Sequence, residues 1–407
     1  MSVKIVNGNN VFLGEQITSI NVIKESDVLS VSLIENNCDF ELFIEETDEL
    51  TVDASSPFVI YHNDAVAMVT YLDDYNRKGK NKWTVSTSDA IGRLDLFEFE
   101  GDVYFDKPAT ELLTEIFAKT DVEFVLNADF EGVSVSGRIP YTTCREALSQ
   151  VLFAVGCFAY TPDTLQSESP CVYISTYNNI ATFAFLEIPK NRVLSGTITS
   201  AQQKNTGVEI MSHDYVDDAD MKRVGGVKMP SHKTGEEPHQ TTEYVFFENP
   251  IVPEGLYVNG STSSKVEIVT ATANFAELRL TSTSNTNNRN GLYAHNYEHS
   301  TSLAGKYVEN AVGQIVAIEN KTLISDQNID DALYRCFEYY TKTQELTAKI
   351  VEGKHVAKDG TVTYDEAVAV GDIVTVPTDY QGTYTGRIIK EQYNLNGNII
   401  IKEITVK

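Results

Sequence analysis

The chain has 407 residues, and its 58 acidic side chains outnumber its 32 lysines and arginines, which gives a formal net charge of −26 at pH 7. This length is enough for about two to four domains, each with a core of its own. The charge argues against a nucleic-acid-binding surface, which needs clustered Lys and Arg, and against charge-driven binding to anionic membranes.

The first residues, from Met1 to Val6, lack the charged and apolar regions of a signal peptide. No apolar run approaches the roughly 18 residues that span a bilayer. We therefore expect synthesis in a bacterial cytoplasm. The cysteines are odd in number, and none stands at C-x-x-C spacing, so we expect free thiols rather than disulfides; they are Cys38, Cys144, Cys157, Cys171 and Cys336.

Residues 1–95 read as an all-β domain. Apolar and polar residues alternate with the period of two that is typical of half-buried strands. The predicted strands are 17–23, 28–34, 38–44, 58–61 and 65–72. Both faces of 65–72 are apolar or aromatic, which predicts a central strand. Six or so short strands indicate a small barrel or sandwich.

Residues 96–190 change to an α+β pattern. An apolar stripe at helical spacing predicts a helix over 108–119, with Pro108 at its start. A second helix is predicted over 144–156, where Thr143 and Glu146 have capping-box spacing and Gly156 has the place of a C-cap. A strand follows at 171–175, so this is a small α+β insertion between β-rich stretches.

Residues 191–325 form a β-rich middle region, and residues 326–407 combine one helix with a C-terminal β segment. The predicted helix is 329–343, and Asn396-Gly397 is the best hairpin-turn signal in the chain. Segments 217–239 and 282–290 are polar and read as loops. The remaining predicted strands are 193–199, 207–211, 243–247, 266–273, 344–351, 372–376, 383–393 and 399–406. The fold class is therefore mainly β with an α+β insertion, in several domains.

Signals for chemistry are weak. His295 and His299 are four residues apart, which would place both imidazoles on one face of a helix, so they are weak candidates for a metal site. The segment does not look helical, however, and His232 and His239 are weaker still. We find no nucleophile elbow, phosphate-binding glycine loop or dinucleotide motif, and expect no catalytic residue and no cofactor.

The segment from Asp89 to Asp95 joins the first β domain to the insertion. We interpret Asp89, Ile91, Gly92 and Leu94 as a structural junction rather than an active-site loop. Gly92 is expected to supply a tight turn, and the two apolar residues are expected to anchor the segment to both cores.

Aromatic residues are abundant, with 21 Tyr and 18 Phe against a single Trp. Aromatic side chains fit the pleated surfaces of a sheet core. Exposed Tyr-rich patches mark interfaces with other molecules, and this alternative stays open.

Three groups of motifs stand out between the first β domain and the second predicted helix. The first group is Tyr61-His62-Asn63-Asp64, Tyr71-Leu72-Asp73-Asp74 and the run from Val85 to Asp95. The second is Gly101-Asp102-Val103-Tyr104 with Leu112-Leu113 and Ile116. The third runs from Gly137-Arg138-Ile139-Pro140 to Arg145-Glu146-Ala147-Leu148 and Phe153-Ala154-Val155-Gly156. These motifs resemble the hub proteins of phage tails, of the late-control-D-like family found in tailed phages and phage-tail-like bacteriocins. The resemblance covers residues 50–175 well and the C-terminal segment loosely.

The resemblance implies two small tube-type β-barrel domains per chain, plus a small α/β domain. It implies a homotrimer whose six tube-type domains form a ring that joins the hexameric tail tube protein to the trimeric central spike protein, among baseplate wedge proteins. Assembly into a virion tail or a bacteriocin baseplate follows, with no membrane partner and no sequence-specific nucleic acid. Two alternatives remain: a tail-tip protein that binds host cell-wall carbohydrate, and a cell-wall hydrolase.

Overall fold

The computed structural model describes residues 3–44, 50–62, 65–127, 132–161, 171–176, 185–200, 205–230, 239–259, 264–282, 289–342, 344–356, 362–364, 367–380, 382–395 and 399–407. Strands dominate these residues, they form several sheets, and helices are few. The predicted fold class, mainly β with an α+β insertion, is confirmed.

The first ninety residues form seven strands. They are β1 (Val3–Asn7), β2 (Asn10–Leu13), β3 (Ile17–Glu25), β4 (Asn37–Phe43), β5 (Phe58–His62), β6 (Ala65–Arg77) and β7 (Lys82–Ser88). Strand β6 lies between β5 and β7, which confirms that it is central. Strands β5 and β6 form an antiparallel pair.

The C-terminal residues add strands to the same sheet. The element β16 (Val193–Ser200) joins β24 (Gln344–Val356), β25 (Val362–Tyr364), β26 (Ile373–Pro377), β27 (Thr383–Asn394) and β28 (Ile399–Val406), with β15 (Phe185–Glu187) beside β26. Because β27 pairs antiparallel with β3, one hydrogen-bonded sheet connects both ends of the chain. Its order among the described residues is β16-β24-β28-β27-β3-β4-β7-β6-β5-β1-β2, with β15, β25 and β26 off this path.

Two separate apolar clusters pack on this sheet, and they define two β units. The N-terminal unit is centred on Ile20, Phe40 and Phe58, and it also takes in Tyr393 from β27. The C-terminal unit has a cluster of its own, with Leu186, Ile188, Leu346, Ala348, Ile350, Val368, Val374, Val376, Ile388, Ile404 and Val406. The domain boundaries at residues 95, 190 and 325 stay a prediction.

The α+β unit lies between these strands in sequence. Its elements are α1 (Ala90–Arg93), β8 (Glu98–Phe99), β9 (Val103–Pro108), α2 (Ala109–Phe117), β10 (Glu123–Leu126), β11 (Ser134–Arg138), β12 (Thr142–Thr143), α3 (Cys144–Val155), β13 (Cys157–Tyr160) and β14 (Cys171–Thr176). Both predicted helices are present. The Thr143 side chain accepts from the Glu146 N–H, and Gly156 ends α3 in the left-handed conformation at φ 72°.

The strand predicted at 28–34 is wrong. The carboxylate of Asp27 accepts from the backbone N–H groups of Leu29 and Ser32, which curls the chain into a turn. Leu29 and Leu33 are buried in the core of the α+β unit rather than in a sheet. Helix α3 satisfies the loop backbone, because Ser149 Oγ donates to the Ser30 carbonyl over 2.9 Å. The alternation of apolar and polar residues over 28–34 therefore belongs to a loop that lies on helix α3.

The middle of the chain forms two further sheets. Their elements are β17 (Asn205–Lys228), β18 (His239–Phe246), β19 (Tyr257–Asn259), β20 (Ser264–Ala271), β21 (Phe275–Ser282), β22 (Arg289–Tyr307) and β23 (Gln314–Ile318). The order is β19-β22-β17-β23 in one sheet and β18-β21-β20 in the other. Apolar residues from both sheets, among them Leu278, Leu280 and Leu292, form one buried cluster between them.

The loop predicted at 217–239 is wrong for its first half, because β17 continues to Lys228. The long pairing with β22 satisfies its backbone although the side chains are polar. Residues 231–238, including His232, lie outside the described residues, as do 283–288 of the second predicted loop and the Asn396-Gly397 turn.

Helix α4 (Ile329–Tyr340) confirms the third predicted helix and packs mainly on β17. All five cysteines are free thiols; Cys171 is half-buried and the others are buried. None of the helices in the described ranges is both long and apolar enough to cross a membrane.

Candidate functional site

The two histidines of the weak metal candidate lie on strand β22, not on a helix. Four residues along a strand correspond to about 13 Å, so the two imidazoles do not converge. His295 Nδ1 lies 3.0 Å from the Asp218 carbonyl, whereas His299 contacts His213, five residues earlier on the same strand β17. Among the residues that the structure describes, no group of three or more His, Cys, Asp or Glu could hold a metal ion.

His299 instead pairs with a histidine that the sequence did not single out. Its Nε2 lies 3.0 Å from Nδ1 of His213 on β17, and the two rings are parallel within 5°. His213 Nε2 lies 3.1 Å from the Glu319 carbonyl, which fixes that nitrogen as the donor. His213 Nδ1 therefore accepts from His299 when both rings are neutral. Burial is the main cause that lowers the pKa of each ring.

Asp89 is fully buried and connects three segments of the chain. Its Oδ1 accepts from the N–H groups of Ile91 and Gly92, at 3.0 and 3.2 Å, and caps α1. Its Oδ2 accepts from Asn36 Nδ2 over 2.7 Å and from Thr161 Oγ1 over 2.8 Å. Burial raises the pKa of Asp89 to about 6, although these hydrogen bonds oppose the rise. This environment is that of a buried structural carboxylate.

Gly92 does not supply a tight left-handed turn, which corrects the reason expected for it. It lies inside α1 without a positive φ, and the need for glycine is space. A Cβ at this position would stand 2.6 Å from Ser88 Oγ and 2.9 Å from Glu35 Oε2. Ile91 and Leu94 are both buried in the core of the α+β unit, so they do not divide between two cores as expected.

A chain of buried charges crosses the sheet where the two β units join. Glu391 on β27 lies directly opposite Lys24 on β3 and 3.2 Å from Lys402 on β28. Lys402 also lies 3.2 Å from Glu352, which is 3.7 Å from Arg192. All five residues are buried. Low-dielectric surroundings make such a network specific in geometry and costly to break.

This network was not predicted, although the sequence contains a signal for it. Lys24 follows Ile20 and Val22 at intervals of two, and Lys402 precedes Ile404 and Val406 at the same interval. Each lysine therefore falls on the buried face of its strand.

A second site of interest lies between the α+β unit and the middle region. An open groove of about 660 Å³ separates α2 from β20 and β21, and Phe275 forms part of its wall. Two ion pairs line it, Glu100 with Lys119 at 2.7 Å and Lys107 with Glu115 at 2.8 Å. These pairs neutralise four charged side chains of the groove, and the Asp102 carboxylate accepts from the N–H groups of Val103 and Ala273.

An aromatic cluster surrounds Phe275 on the outer face of the β18-β21-β20 sheet. Its ring centroid lies 5.5 Å from Tyr141, 5.9 Å from Phe246 and 6.4 Å from Tyr244. Tyr244 and Phe246 are each 57% exposed, whereas Phe275 is buried. Aromatic side chains thus lie both in the sheet cores and on the surface.

Comparison with known proteins gives a structural match alone. No protein-family model and no curated protein sequence matches this chain. Among solved structures, a 43 kDa tail protein of prophage MuSo2 from Shewanella oneidensis aligns with a TM-score of 0.57 and 10% identity, covering 100% of this chain and 98% of that protein. A tail protein from Neisseria meningitidis MC58 aligns with a TM-score of 0.52 and 10% identity, covering 99% and 96%. The predicted resemblance to phage tail proteins is confirmed at the level of the fold.

Proposed function

We propose that this chain is a structural hub protein of a phage or of a phage-tail-like contractile particle. Three copies form a ring that joins the hexameric tail tube to the trimeric central spike at the baseplate. Its partners are the tube protein, the spike protein and the surrounding wedge proteins. Its role is structural rather than catalytic, and the mature protein resides in the tail of the particle.

The observation that carries this proposal is the alignment of the fold along the whole chain with two tail proteins. The joined sheet is consistent with it. Each chain contributes two β units with cores of their own, connected by the pairing of β27 with β3. Three such chains supply six units, which suits a contact between a threefold spike and a sixfold tube.

Within this role, we propose that Asp89, Ile91, Gly92 and Leu94 are the structural junction between the first β unit and the α+β unit. The buried charges from Lys24 to Arg192 fix the angle between the two β units in the same way. A hub that transmits force from tube to spike requires such fixed angles.

Binding to the neighbouring tail proteins tests the proposal. The full-length chain is mixed with the tube protein and with the spike protein of the same particle, and the complexes are separated by size. We expect a complex with each of them, and a ternary complex when both are present. Failure to bind either protein would overturn the proposal.

A further inference from the structure

The outer face of the β18-β21-β20 sheet carries an aromatic platform of Tyr141, Tyr244, Phe246 and Phe275, in which Tyr244 and Phe246 are exposed. Tyr141 packs edge-on against Phe246 at 5.0 Å and Phe275 at 5.5 Å. The platform is therefore continuous between the α+β unit and the middle region. Exposed aromatic rings held in place by neighbouring rings are typical anchors of an interface.

Carboxylates that have no ion pair among the described residues lie beside the platform, whereas Arg279, farther along the same face, pairs with Glu267 at 3.7 Å. The Tyr141 hydroxyl donates to the carboxylate of Glu98, and Glu277 lies opposite Tyr244 in the sheet. No lysine or arginine within the described ranges forms an ion pair with Glu98 or Glu277, whereas Glu100 is paired with Lys119. The hydrogen bond to Glu98, with burial and the charge of Glu100, raises the pKa of Tyr141 to about 12. Glu98 and Glu277 thus leave two uncompensated carboxylates beside the platform.

The neighbouring strand, β18, is an edge strand of its sheet as far as the described residues show. Strand β18 pairs with β21 along its whole length, and no described strand lies along its other side. Six of its eight residues are exposed. An unpaired strand edge presents backbone N–H and C=O groups that another extended segment can complete.

We propose that β18 and the aromatic platform form a docking site for an extended, basic segment of another protein. The segment adds to β18 as a further strand and places an arginine or lysine over the rings of Tyr244 and Phe246. Negative ring faces and nearby carboxylates both favour a cation at this position. The site does not depend on the proposed hub function.

Two observations select this occupant. A second copy of the chain carries the same net charge of −26, so an acidic face fits a different, basic partner better. A saccharide would use the rings and carboxylates but not the row of backbone groups along β18. The free edge therefore favours a polypeptide.

A labelled peptide of alternating arginine and threonine tests the site on the full-length protein. Its binding is followed by fluorescence anisotropy at about 0.15 M ionic strength, where long-range attraction is screened. We expect saturable binding that weakens by about tenfold or more in the double variant Tyr244→Ala/Phe246→Ala. The same peptide with alternate backbone nitrogens methylated is expected to lose binding, because it cannot add to a strand.

Tyr380→Ala is the matched control, since Tyr380 is 85% exposed and far from this sheet in sequence. We expect it to leave the affinity unchanged and both variants to keep the melting temperature of the unmodified protein. If the double variant bound the peptide as tightly as the unmodified protein does, the proposal would be overturned, because the peptide would then be attracted by the net charge of the whole chain. Absence of peptide binding would overturn the proposal as well. So would binding of an N-acetylglucosamine tetramer that the double variant loses while its peptide binding stays unchanged.

Discussion

At the scale of single residues, the segment after β7 depends on two positions with different requirements. Asp89 is needed for its four hydrogen bonds, and Gly92 is needed for its lack of a side chain. The sequence indicated a junction here, but it did not distinguish a tight turn from a close contact. That distinction depends on Ser88 and Glu35, and Glu35 reaches Gly92 only through the loop that was predicted as a strand.

Replacement of Asp89 by alanine removes the cap of α1 and one of the two acceptors of Asn36 Nδ2, and it leaves the Thr161 hydroxyl without the carboxylate to which it donates. We expect the free energy of unfolding to fall by about 1–3 kcal/mol. Denaturant unfolding measures it. Asp95→Ala is the control, since Asp95 lies nearby and pairs with Arg145 with its side chain 45% exposed, and its change should stay below about 1 kcal/mol. Equal effects of both substitutions would contradict the role of Asp89.

Replacement of Gly92 by alanine places a methyl group against Ser88. The expected loss of stability is about 1–3 kcal/mol, because the helix must shift to make room. Gly14→Ala is the matched control, since the nearest atom to a Cβ there is 3.7 Å away. Thermal unfolding of the two variants makes the comparison, and a Gly92→Ala variant as stable as Gly14→Ala would contradict the account.

At the scale of elements, patterns that involve local contacts were predictable. Helix α3 was predicted from Thr143, Glu146 and Gly156, all of which act within one helix. The polar half of β17 was missed because its partner β22 is about seventy residues away, and only that pairing makes a strand of it. The buried charges were missed for the same reason, since Lys24 and Glu391 meet only when β3 and β27 pair.

The histidine pair between β17 and β22 predicts a pH dependence. The pKa of both rings is lowered by burial, so the unfolded chain binds protons more readily than the folded one. Stability from this pair is fully present above the unfolded pKa of 6.5 and is lost as the pH falls from that value through the lower pKa of the folded rings. Asp89 acts in the opposite direction, because its raised pKa favours the folded state below about pH 6.

The variant His299→Gln isolates the contribution of the pair, since glutamine keeps a donor for His213 but does not titrate. We expect a smaller loss of unfolding free energy between pH 7.5 and 5.5, values chosen about one unit either side of the histidine pKa. The exposed His239 gives the control variant His239→Gln. An unchanged pH dependence in His299→Gln would contradict the assignment.

The buried charges between the β units predict that a single substitution among them lowers the free energy of unfolding strongly. Glu391→Gln leaves Lys24 and Lys402 with one carboxylate fewer, and we expect a loss of about 3–5 kcal/mol. Glu403→Gln breaks the Lys349–Glu403 pair, whose side chains are 54% and 49% exposed, and should cost less than about 1 kcal/mol. Similar chemical denaturation curves for both variants would show that the network does not hold the units together.

At the scale of the whole molecule, the mainly-β class with its α+β insertion could be predicted from the sequence, and the joining of both chain ends in one sheet could not. Strand alternation gives the number and type of elements, but it carries no information on which distant strands pair. The phage-tail resemblance came from motifs within residues 50–175, and the structural match extends it to the full chain at the level of the fold.

The copy number of the assembled protein tests the central claim most directly. Light scattering after size separation measures the mass of the full-length chain, alone and bound to the spike protein. The account predicts three copies, about 136 kDa for three chains of 45.2 kDa, either alone or within the spike complex. A stable monomer that also enters the spike complex as a single copy would contradict it.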